Sequence, residues 1–308
     1  MKRLWLNDDV IKKYLKAGNV VNKVLNRALD IVNEGVEVLR ICEELEKEIV
    51  RLGAKPAFPV NISINNVAAH YTSPIGDTST IPRESIVKVD VGAHVNGYIV
   101  DAAVTVNFSP IYDGLVKASR EALKDVSRVL RDGLNIGRLG SLIERRIREY
   151  GAKPIKNLTG HLIDRYNLHA GKIIPNVSTR TRELVKAGEV YAIEPFATDG
   201  EGYVVETSST FIFRLSRLKK IKEPNEIVNF MKLIKEKFDR LPFSERWLSS
   251  IYATHTIREN INELLKRRIL EAYPVLVERR NGLVSQFEDT FIITREGSIP
   301  LARTLEIL

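Results

Sequence analysis

The sequence predicts an α+β fold of two related halves around a pseudo-two-fold axis, and three observations lead to this prediction. Helical and strand patterns occur in the order helix, helix, strands, and this order then occurs a second time. The motif Gly-Ala-Lys-Pro closes both helix pairs, at 53–56 and at 151–154. Further segments match at a near-constant offset, 86–90 with 190–194 and 97–108 with 202–213. Each half is too small to bury its sheet alone, so the repeat indicates that the two halves pack together.

The first half begins with two helices and continues into strands. Apolar residues recur at helical spacing over 8–52, and Asn33-Glu34-Gly35 predicts a break between two helices. Gly53 is expected to end the second helix. The stretch 86–108 then alternates as a hairpin that turns near Asn96-Gly97.

The second half repeats this order until an additional segment interrupts it. Helical patterns at 113–131 and 137–150 are separated by Asp132-Gly133, and strand patterns follow. Residues 214–275 are mostly helical in pattern, with nine basic and four acidic residues between 214 and 240. We predict a helical, winged-helix-like insertion at 214–275 on the rim of a catalytic domain formed by 1–213 and 276–308. Its lysines and arginines, among them Lys219, Lys220 and Lys222, are expected to form a solvated face.

The composition is that of a water-soluble globular protein in a reducing compartment. The chain has 308 residues, a net charge of +8 and a single cysteine, Cys42, in a helical pattern. One cysteine excludes a disulfide within the chain and a cysteine metal site. The N-terminus carries no apolar segment of a signal peptide, and no apolar run approaches the thickness of a bilayer. We therefore expect a cytoplasmic protein without membrane contact.

Four acidic residues in apolar strand patterns are the first candidates for chemistry. Asp90 and Asp101 flank the hairpin almost symmetrically, so facing positions on one side of the sheet are expected. Glu194 follows the run VYAI at the repeat-related position of Asp90, and Glu288 is expected inside a later strand. Buried carboxylates are costly unless they are paired or bind metal, and adjacent ones repel, which favours a cation between them. A single buried acid held by hydrogen bonds is the alternative for each.

Histidines complete this set. His161 follows IKNLTG, and His169 and His70 occupy related positions in the two halves, each after a strand. Four carboxylates and the His161 imidazole form a plausible site for two divalent ions (Co, Mn, Fe or Zn), which would share bridging carboxylates and a bridging hydroxide. His70 and His169 are candidates for substrate binding or for surface loops, and spacing does not decide between these. His94 and His255 are expected to be structural.

Several motifs resemble, in order and over nearly the whole chain, those of methionine aminopeptidases. They are AFPVNISINNVAAHYTSP, VDVGAHVNGYIVDAAVTV, LTGHLIDRYNLHAGKIIPN, AIEPF and QFEDT. The resemblance implies the pita-bread (creatinase/aminopeptidase) fold and removal of the initiator methionine before a small second residue. The insertion and the short N-terminal segment resemble archaeal enzymes of type II. One departure is Asp289, where many relatives have histidine.

The resemblance also implies a role for individual residues. Asp90 would bind one ion with both oxygens, Asp101 and Glu288 would bridge, and His161 and Glu194 would hold the second ion. Glu194 or Glu288 would move the proton of the attacking hydroxide, and the resemblance favours Glu194. His70 and His169 would contact the substrate. The methionine pocket would consist of Phe58, Leu168, Phe196, Ile212, Pro242 and Tyr273. The expected partners are nascent polypeptide N-termini, with weak ribosome contact, no specific nucleic acid and a monomeric state.

Three rival interpretations come from different classes of protein. A prolidase or aminopeptidase P would share the five ligands but carry a large additional N-terminal domain. A non-catalytic binding protein of the same fold would have lost ligands, and all five are present. A nucleic-acid-binding module would rest on the basic insertion, but no aromatic-interleaved or zinc-finger pattern accompanies it.

Overall fold

The computed structural model describes residues 6–216 and 225–307, and its elements follow the predicted order. The helices are α1 (Asp8–Ile31), α2 (Val38–Arg51), α3 (Asp113–Val129), α4 (Ile136–Glu149), α5 (Asn225–Phe238) and α6 (Thr254–Lys266). The strands of the first half are β1 (Lys55–Pro56), β2 (Asn61–Ile64), β3 (Val67–Ala69), β4 (Ile86–Val95) and β5 (Tyr98–Asn107). The later strands are β6 (Lys153–Pro154), β7 (Thr159–Ile163), β8 (Ile173–Pro175), β9 (Val190–Ile193), β10 (Phe196–Thr198), β11 (Val204–Leu215), β12 (Phe243–Ser244), β13 (Leu270–Glu278), β14 (Val284–Gln286), β15 (Asp289–Ile293) and β16 (Ser298–Pro300).

The predicted internal repeat is present in the strand pairing. In the first half, β2 and β1 both pair antiparallel with β4, and β5 pairs with β4 as the predicted hairpin. In the second half, β7 pairs antiparallel with β9, while β6 pairs with β10, just after β9. Gly53 and Gly151 both adopt positive φ directly after the helix pairs, which explains why glycine occurs at both helix ends. The strands before the hairpin therefore pair in the same way in both halves, whereas β11, which the sequence repeat relates to β5, pairs with β12 and β13 instead.

The helices cover one face of the sheets and leave the other face for the site. Side chains alternate along a strand. On β4, Val87, Val89 and Val91 belong to the main hydrophobic core, and α1 packs against β4 and β5. The residues between these valines, including Asp90, therefore point to the opposite face. The face of the hairpin that packs against the helices carries the alternate apolar residues, and the opposite face carries the polar residues between them.

The segment predicted as an insertion is less purely helical than expected. It contains α5 and α6, but also the short strand β12, which pairs with β11. Strands β11 and β13 run across the predicted limits at 214 and 275 and pair with each other. The segment has a second hydrophobic core, which includes Phe230, Ile234 and Ile257. The division into two domains and the winged-helix likeness stay predictions, and Lys219, Lys220 and Lys222 lie outside the described residues.

A buried ion pair joins this segment to the first helix pair. The Arg246 guanidinium donates to both carboxylate oxygens of Glu46 on α2, at 2.7 and 2.8 Å, and both side chains are buried. Trp247 Nε1 and the Val60 backbone N–H also donate to this carboxylate. Because a buried ion pair is costly to break, this network holds the segment beside the β2 end of the sheet. Within residues 6–216 and 225–307, no helix combines the length and apolar character needed to cross a membrane.

Candidate metal centre

The first two acids lie on one face of the hairpin, but they do not face each other directly. The β4–β5 register pairs Asp90 with Ala103 and Asp101 with Gly92. The predicted direct opposition was therefore wrong by two residues, because the two-residue turn at Asn96-Gly97 pairs Val95 with Tyr98 and sets the register outward from there. Diagonal neighbours on one face still lie within reach of each other.

Glycine at position 92 makes room for the wall of the site. A Cβ added there would lie 2.1 Å from the Phe58 ring. The ring therefore packs directly on the β4 backbone opposite Asp101, and a larger residue at 92 would displace it. This packing places one predicted pocket residue beside the acids.

The second half and the C-terminal strands supply the other three candidate ligands. His161 lies on β7, and Glu194 immediately follows β9. Glu288 was predicted inside a strand, but it lies between β14 and β15. An isolated bridge holds it there: its N–H donates to the Ala103 carbonyl at 2.9 Å, and Ala103 N–H donates back at 3.3 Å. This bridge brings Glu288 next to the hairpin that carries Asp101.

The five side chains converge into one cluster, in which Asp101, His161 and Glu288 are buried and Asp90 and Glu194 are partly exposed. His161 Nε2 lies 3.5 Å from Asp101 Oδ2 and 3.6 Å from Glu194 Oε1. One ligand atom each of Asp101, His161 and Glu288 fall within 4.8 Å of one another. Asp90 is adjacent, since the β4–β5 register places it diagonally across from Asp101 on the same face of the hairpin. The predicted set is thus assembled from both halves of the chain.

The electrostatics of this cluster favour a bound cation. Burial, and then the charge of neighbouring carboxylates, raises the pKa of Asp90, Glu194 and Glu288 well above the ordinary range. Burial also raises the pKa of Asp101 to about 7. Within the described residues, Asp90 Oδ1, Asp101 Oδ1 and Glu288 Oε1 are buried without a hydrogen-bond partner. Unpartnered carboxylate oxygens together with one imidazole fit divalent metal ions, which would relieve both the repulsion and the missing contacts.

Residues behind the acids orient them. Gln286 Nε2 donates to Glu288 Oε2 at 2.8 Å. Thr290 Oγ1 accepts from the Asp101 N–H and donates to its carbonyl, at 2.8 and 2.7 Å. Such second-layer contacts fix the orientation of metal ligands. Sequence reasoning missed Gln286, although its position two residues before a candidate ligand was a usable signal.

The two remaining histidines border the same cluster. His70 has a positive φ of 66°, and its Nδ1 lies 3.1 Å from the Pro274 carbonyl oxygen. His169 lies with its ring centroid 4.3 Å from that of His161. Partial burial lowers the pKa of His70 to about 4, and desolvation, together with the charges of His161 and His70, also lowers the pKa of His169, although part of its side chain is exposed at the cavity mouth. Both rings are therefore neutral near pH 7.

The candidate ligands and the two histidines border one cavity of about 400 Å³. It is lined by the five candidate ligands, by His70 and His169, and by every predicted pocket residue: Phe58, Leu168, Phe196, Ile212, Pro242 and Tyr273. The sequence analysis did not identify Asn61, which also lines it. The cavity therefore has a carboxylate-rich part and an apolar part side by side.

His94 and His255, which were predicted to be structural, lie elsewhere, and so does Cys42. His94 is buried in the hairpin, where its Nδ1 accepts the Gly97 N–H at 3.0 Å. His255 is exposed at the start of α6. Cys42 is buried in α2, and burial raises the pKa of its thiol to about 11. Asp289, the departure from the expected pattern, is buried and accepts the backbone N–H groups of Ala302 and Thr304.

Comparison with known sequences identifies relatives over nearly the whole chain. The profile of metallopeptidase family M24 matches residues 12–295. A methionine aminopeptidase of Saccharolobus solfataricus is 43% identical over 305 residues, which cover 97% of this chain and 100% of the relative. That of Methanocaldococcus jannaschii is 41% identical over 286 residues, covering 93% and 96%.

Solved structures with similar folds extend the likeness to the whole architecture. A thermophilic Arx1 superimposes with a TM-score of 0.85 at 18% identity, over 98% of this chain and 94% of that one. A methionine aminopeptidase of Thermotoga maritima gives 0.70 at 22% identity, over 96% and 97%. A prolidase of Pyrococcus furiosus gives 0.63 at 19% identity, over 98% of this chain but 66% of the prolidase. At these identities the likeness concerns the fold, and it agrees with the predicted pita-bread architecture.

Proposed function

This chain belongs to metallopeptidase family M24, and we propose that it removes the N-terminal methionine from nascent polypeptides whose second residue is small. The observation that carries the proposal is the single cavity in which five candidate metal ligands adjoin an apolar pocket. A methionine side chain is long, flexible and polarizable, and such a pocket of aromatic and branched residues suits it. The roughly 40% identical relatives named methionine aminopeptidases support the same activity.

Two divalent ions would be held by Asp90, Asp101, His161, Glu194 and Glu288. Co, Mn, Fe and Zn all suit this mixture of carboxylate and imidazole ligands. When bound, the ions supply Lewis acidity, which lowers the pKa of water toward neutrality and polarises the scissile carbonyl. Two ions balance the four negative charges of this buried site better than one ion does.

The side chains around the ions position the substrate and move its protons. Glu194 takes the proton of the attacking water and delivers it to the leaving nitrogen. His70 Nδ1 must carry the proton, because its partner, the Pro274 carbonyl, can only accept. Its Nε2 therefore holds a lone pair that accepts the N–H of the second residue. The neutral His169 donates a hydrogen bond to the carbonyl oxygen as negative charge develops there.

The size of the cavity limits both ends of the substrate. The apolar part selects the first side chain, and the bordering histidines leave room for only a small second side chain. The rival prolidase activity would require recognition of a proline at the second position. The rival non-catalytic binding role is disfavoured because no candidate ligand has been lost.

A metal-reconstituted peptidase assay tests the function. The chelated enzyme should be inactive, and Co or Mn should restore cleavage of Met-Ala-Ser. Leucine in place of methionine should lower kcat/KM by about 10-fold to 200-fold, the range expected for losing the contacts of one methylene group. Alanine loses more contacts and should lower kcat/KM further. Norleucine, which keeps the length, should lower it less. Faster cleavage of a dipeptide ending in proline, or activity after full chelation, would assign the chain to a different reaction.

We also propose that the enzyme acts as a cytoplasmic monomer that contacts the ribosome weakly. A basic strip supports this contact: Arg131, Arg138, Arg180, Arg182 and Lys186. All five are exposed, and within residues 6–216 and 225–307 none forms an ion pair. Arg131 and Arg138 line one surface groove, and Lys186 lines a second groove. Leu184 lines both grooves, which therefore adjoin. None of the five lines the catalytic cavity, so ribosomal RNA could bind while the site stays open.

Co-sedimentation with ribosomes at low and moderate salt tests the basic strip. The double variant Arg131→Glu, Arg138→Glu should bind less, and the salt dependence should fall by about one unit for each lost phosphate contact. Cleavage of Met-Ala-Ser should stay unchanged. The double variant Arg40→Glu, Lys47→Glu on α2 changes the net charge equally and is the control. Equal losses in both variants would mean that net charge, and not this strip, causes the binding.

A further inference from the structure

Asn61 is a buried cavity residue whose polar atoms are only half satisfied. It begins β2, is 4% exposed and lines the catalytic cavity. Its Nδ2 donates to the Pro59 carbonyl at 2.8 Å, which fixes the orientation of the amide. Its Oδ1 has no hydrogen-bond partner within the described residues. An unpaired buried acceptor is costly, so this atom requires a donor that the described residues do not provide.

The position of Asn61 restricts what that donor can be. The β2–β4 register places Asn61 directly opposite Asp90, on the face that carries the candidate ligands. Phe58, three residues earlier, forms part of the apolar pocket. An ionised Asp90 offers only acceptors, and no donor among the described side chains of the cavity, the Tyr273 hydroxyl included, reaches Asn61 Oδ1. The donor must therefore come from a molecule in the cavity, close to both the carboxylates and the pocket.

A peptide with an N-terminal methionine brings one group of this kind. Its side chain carries no hydrogen-bond donor, whereas its terminal amino group carries two or three and lies one bond from the carbon that bears the side chain. We propose that Asn61 Oδ1 accepts a hydrogen bond from the N-terminal amino group of the substrate. The residue thereby recognises the free chain end, which distinguishes an exopeptidase from an endopeptidase. This inference rests on the proposed function.

A pair of ligands that differ only in the amino group tests the proposal. Methionine and 4-(methylthio)butanoate share the side chain and the carboxylate, and calorimetry on the cobalt-loaded enzyme gives both affinities. The wild-type enzyme should prefer methionine. Asn61→Leu, which removes the acceptor at similar volume, should reduce that preference by roughly 10-fold to 100-fold, as expected for a hydrogen bond to a charged group. Its affinity for 4-(methylthio)butanoate should stay nearly unchanged.

Two further variants separate recognition from structural damage. Asn61→Asp keeps an acceptor at the same place and should retain the preference. Ser63→Ala removes a buried hydroxyl of the same strand that also has no hydrogen-bond partner among the described residues, but Ser63 does not line the cavity. This variant should leave both affinities unchanged. Cobalt content and the visible spectrum should be the same in all variants, since Asn61 is not assigned as a metal ligand.

Several results would overturn the inference. Equal weakening of both ligands in Asn61→Leu, loss of the preference in Asn61→Asp, or loss of cobalt would each exclude amino-group recognition by Oδ1. Failure of the wild-type enzyme to cleave Met-Ala-Ser would instead overturn the proposed function. The two failures are therefore distinguishable in one set of measurements.

Discussion

The Glu288→Gln enzyme is expected to lose bound metal and at least about 100-fold in kcat/KM, since even residues behind a metal ligand affect affinity or activity by about 10-fold to 100-fold. Glu288 Oε1 is buried without a partner among the described residues, and Oε2 accepts from Gln286. Glutamine preserves the shape and the Gln286 contact but removes the charge that would bind the cations. Metal stoichiometry by mass spectrometry and a steady-state assay measure the two losses.

The same substitution should stabilise the metal-free protein. Without metal, burial and neighbouring carboxylates raise the pKa of Glu288, so the folded chain holds a proton that the unfolded chain releases. Stability is therefore lost as pH rises above the ordinary glutamate pKa, and a neutral glutamine avoids this loss. The melting temperature of metal-free Glu288→Gln should exceed that of the metal-free parent near pH 7, and the difference should shrink toward pH 4.5.

Glu278→Gln provides a matched control with the opposite electrostatics. Glu278 is also fully buried, but its carboxylate accepts four backbone N–H groups, from Glu201, Gly202, Arg280 and Gly282. Burial opposes these hydrogen bonds, yet together they lower the pKa of Glu278. Its replacement should destabilise the protein with and without metal, and it should leave the stoichiometry intact. Unchanged metal content and rate in Glu288→Gln would contradict the assigned metal centre.

The His70→Ala enzyme is expected to lose about 10²–10⁴ in kcat, because the hydrogen bond from His70 to the leaving nitrogen holds that nitrogen in place for proton transfer from Glu194. His70 Nδ1 bonds to Pro274, which leaves Nε2 for the second residue of the substrate. Burial lowers the pKa of His70 to about 4, so this nitrogen remains a proton acceptor throughout the neutral range. Both metal ions should stay bound, because His70 is not among the five ligands.

His94→Ala separates a catalytic effect from loss of a buried imidazole. Burial also lowers the pKa of His94 to about 4, but this residue does not line the catalytic cavity. Its replacement should lower stability and leave kcat nearly unchanged. A similar loss of kcat in both variants, or loss of metal from His70→Ala, would show that position 70 acts through the fold and not through the substrate.

Local sequence patterns were sufficient for the elements and the repeat. The paired helices, the Asn96-Gly97 turn and the glycines at helix ends depend on neighbours a few residues away, and periodicity and turn chemistry report such neighbours directly. The register of Asp90 and Asp101 was also accessible in principle, because a two-residue turn determines the pairing of every residue counted outward from it.

The candidate ligands were predictable for a related reason. Asp90 and Asp101 interrupt strands that are otherwise apolar, and a buried charge without a partner is too costly to be accidental. The resemblance to a known family then supplied their roles. Periodicity did not reveal that Glu288 lies outside the strands, because a bridge to Ala103, far away in the chain, holds it in place.

The sequence by itself determined the two-half architecture, the hairpin and the set of acids and histidines, because each depends on the order of polar and apolar residues over short stretches of chain. Only the tertiary structure decided that residues from Phe58 to Glu288 enclose one cavity of about 400 Å³. It also revealed that Asn61 Oδ1, in this cavity, has no hydrogen-bond partner in the part of the chain that the structure describes. Whether a buried polar atom has a hydrogen-bond partner depends on groups that are far apart in the chain and are brought together by packing. The amino-acid sequence alone does not give the distances between such groups.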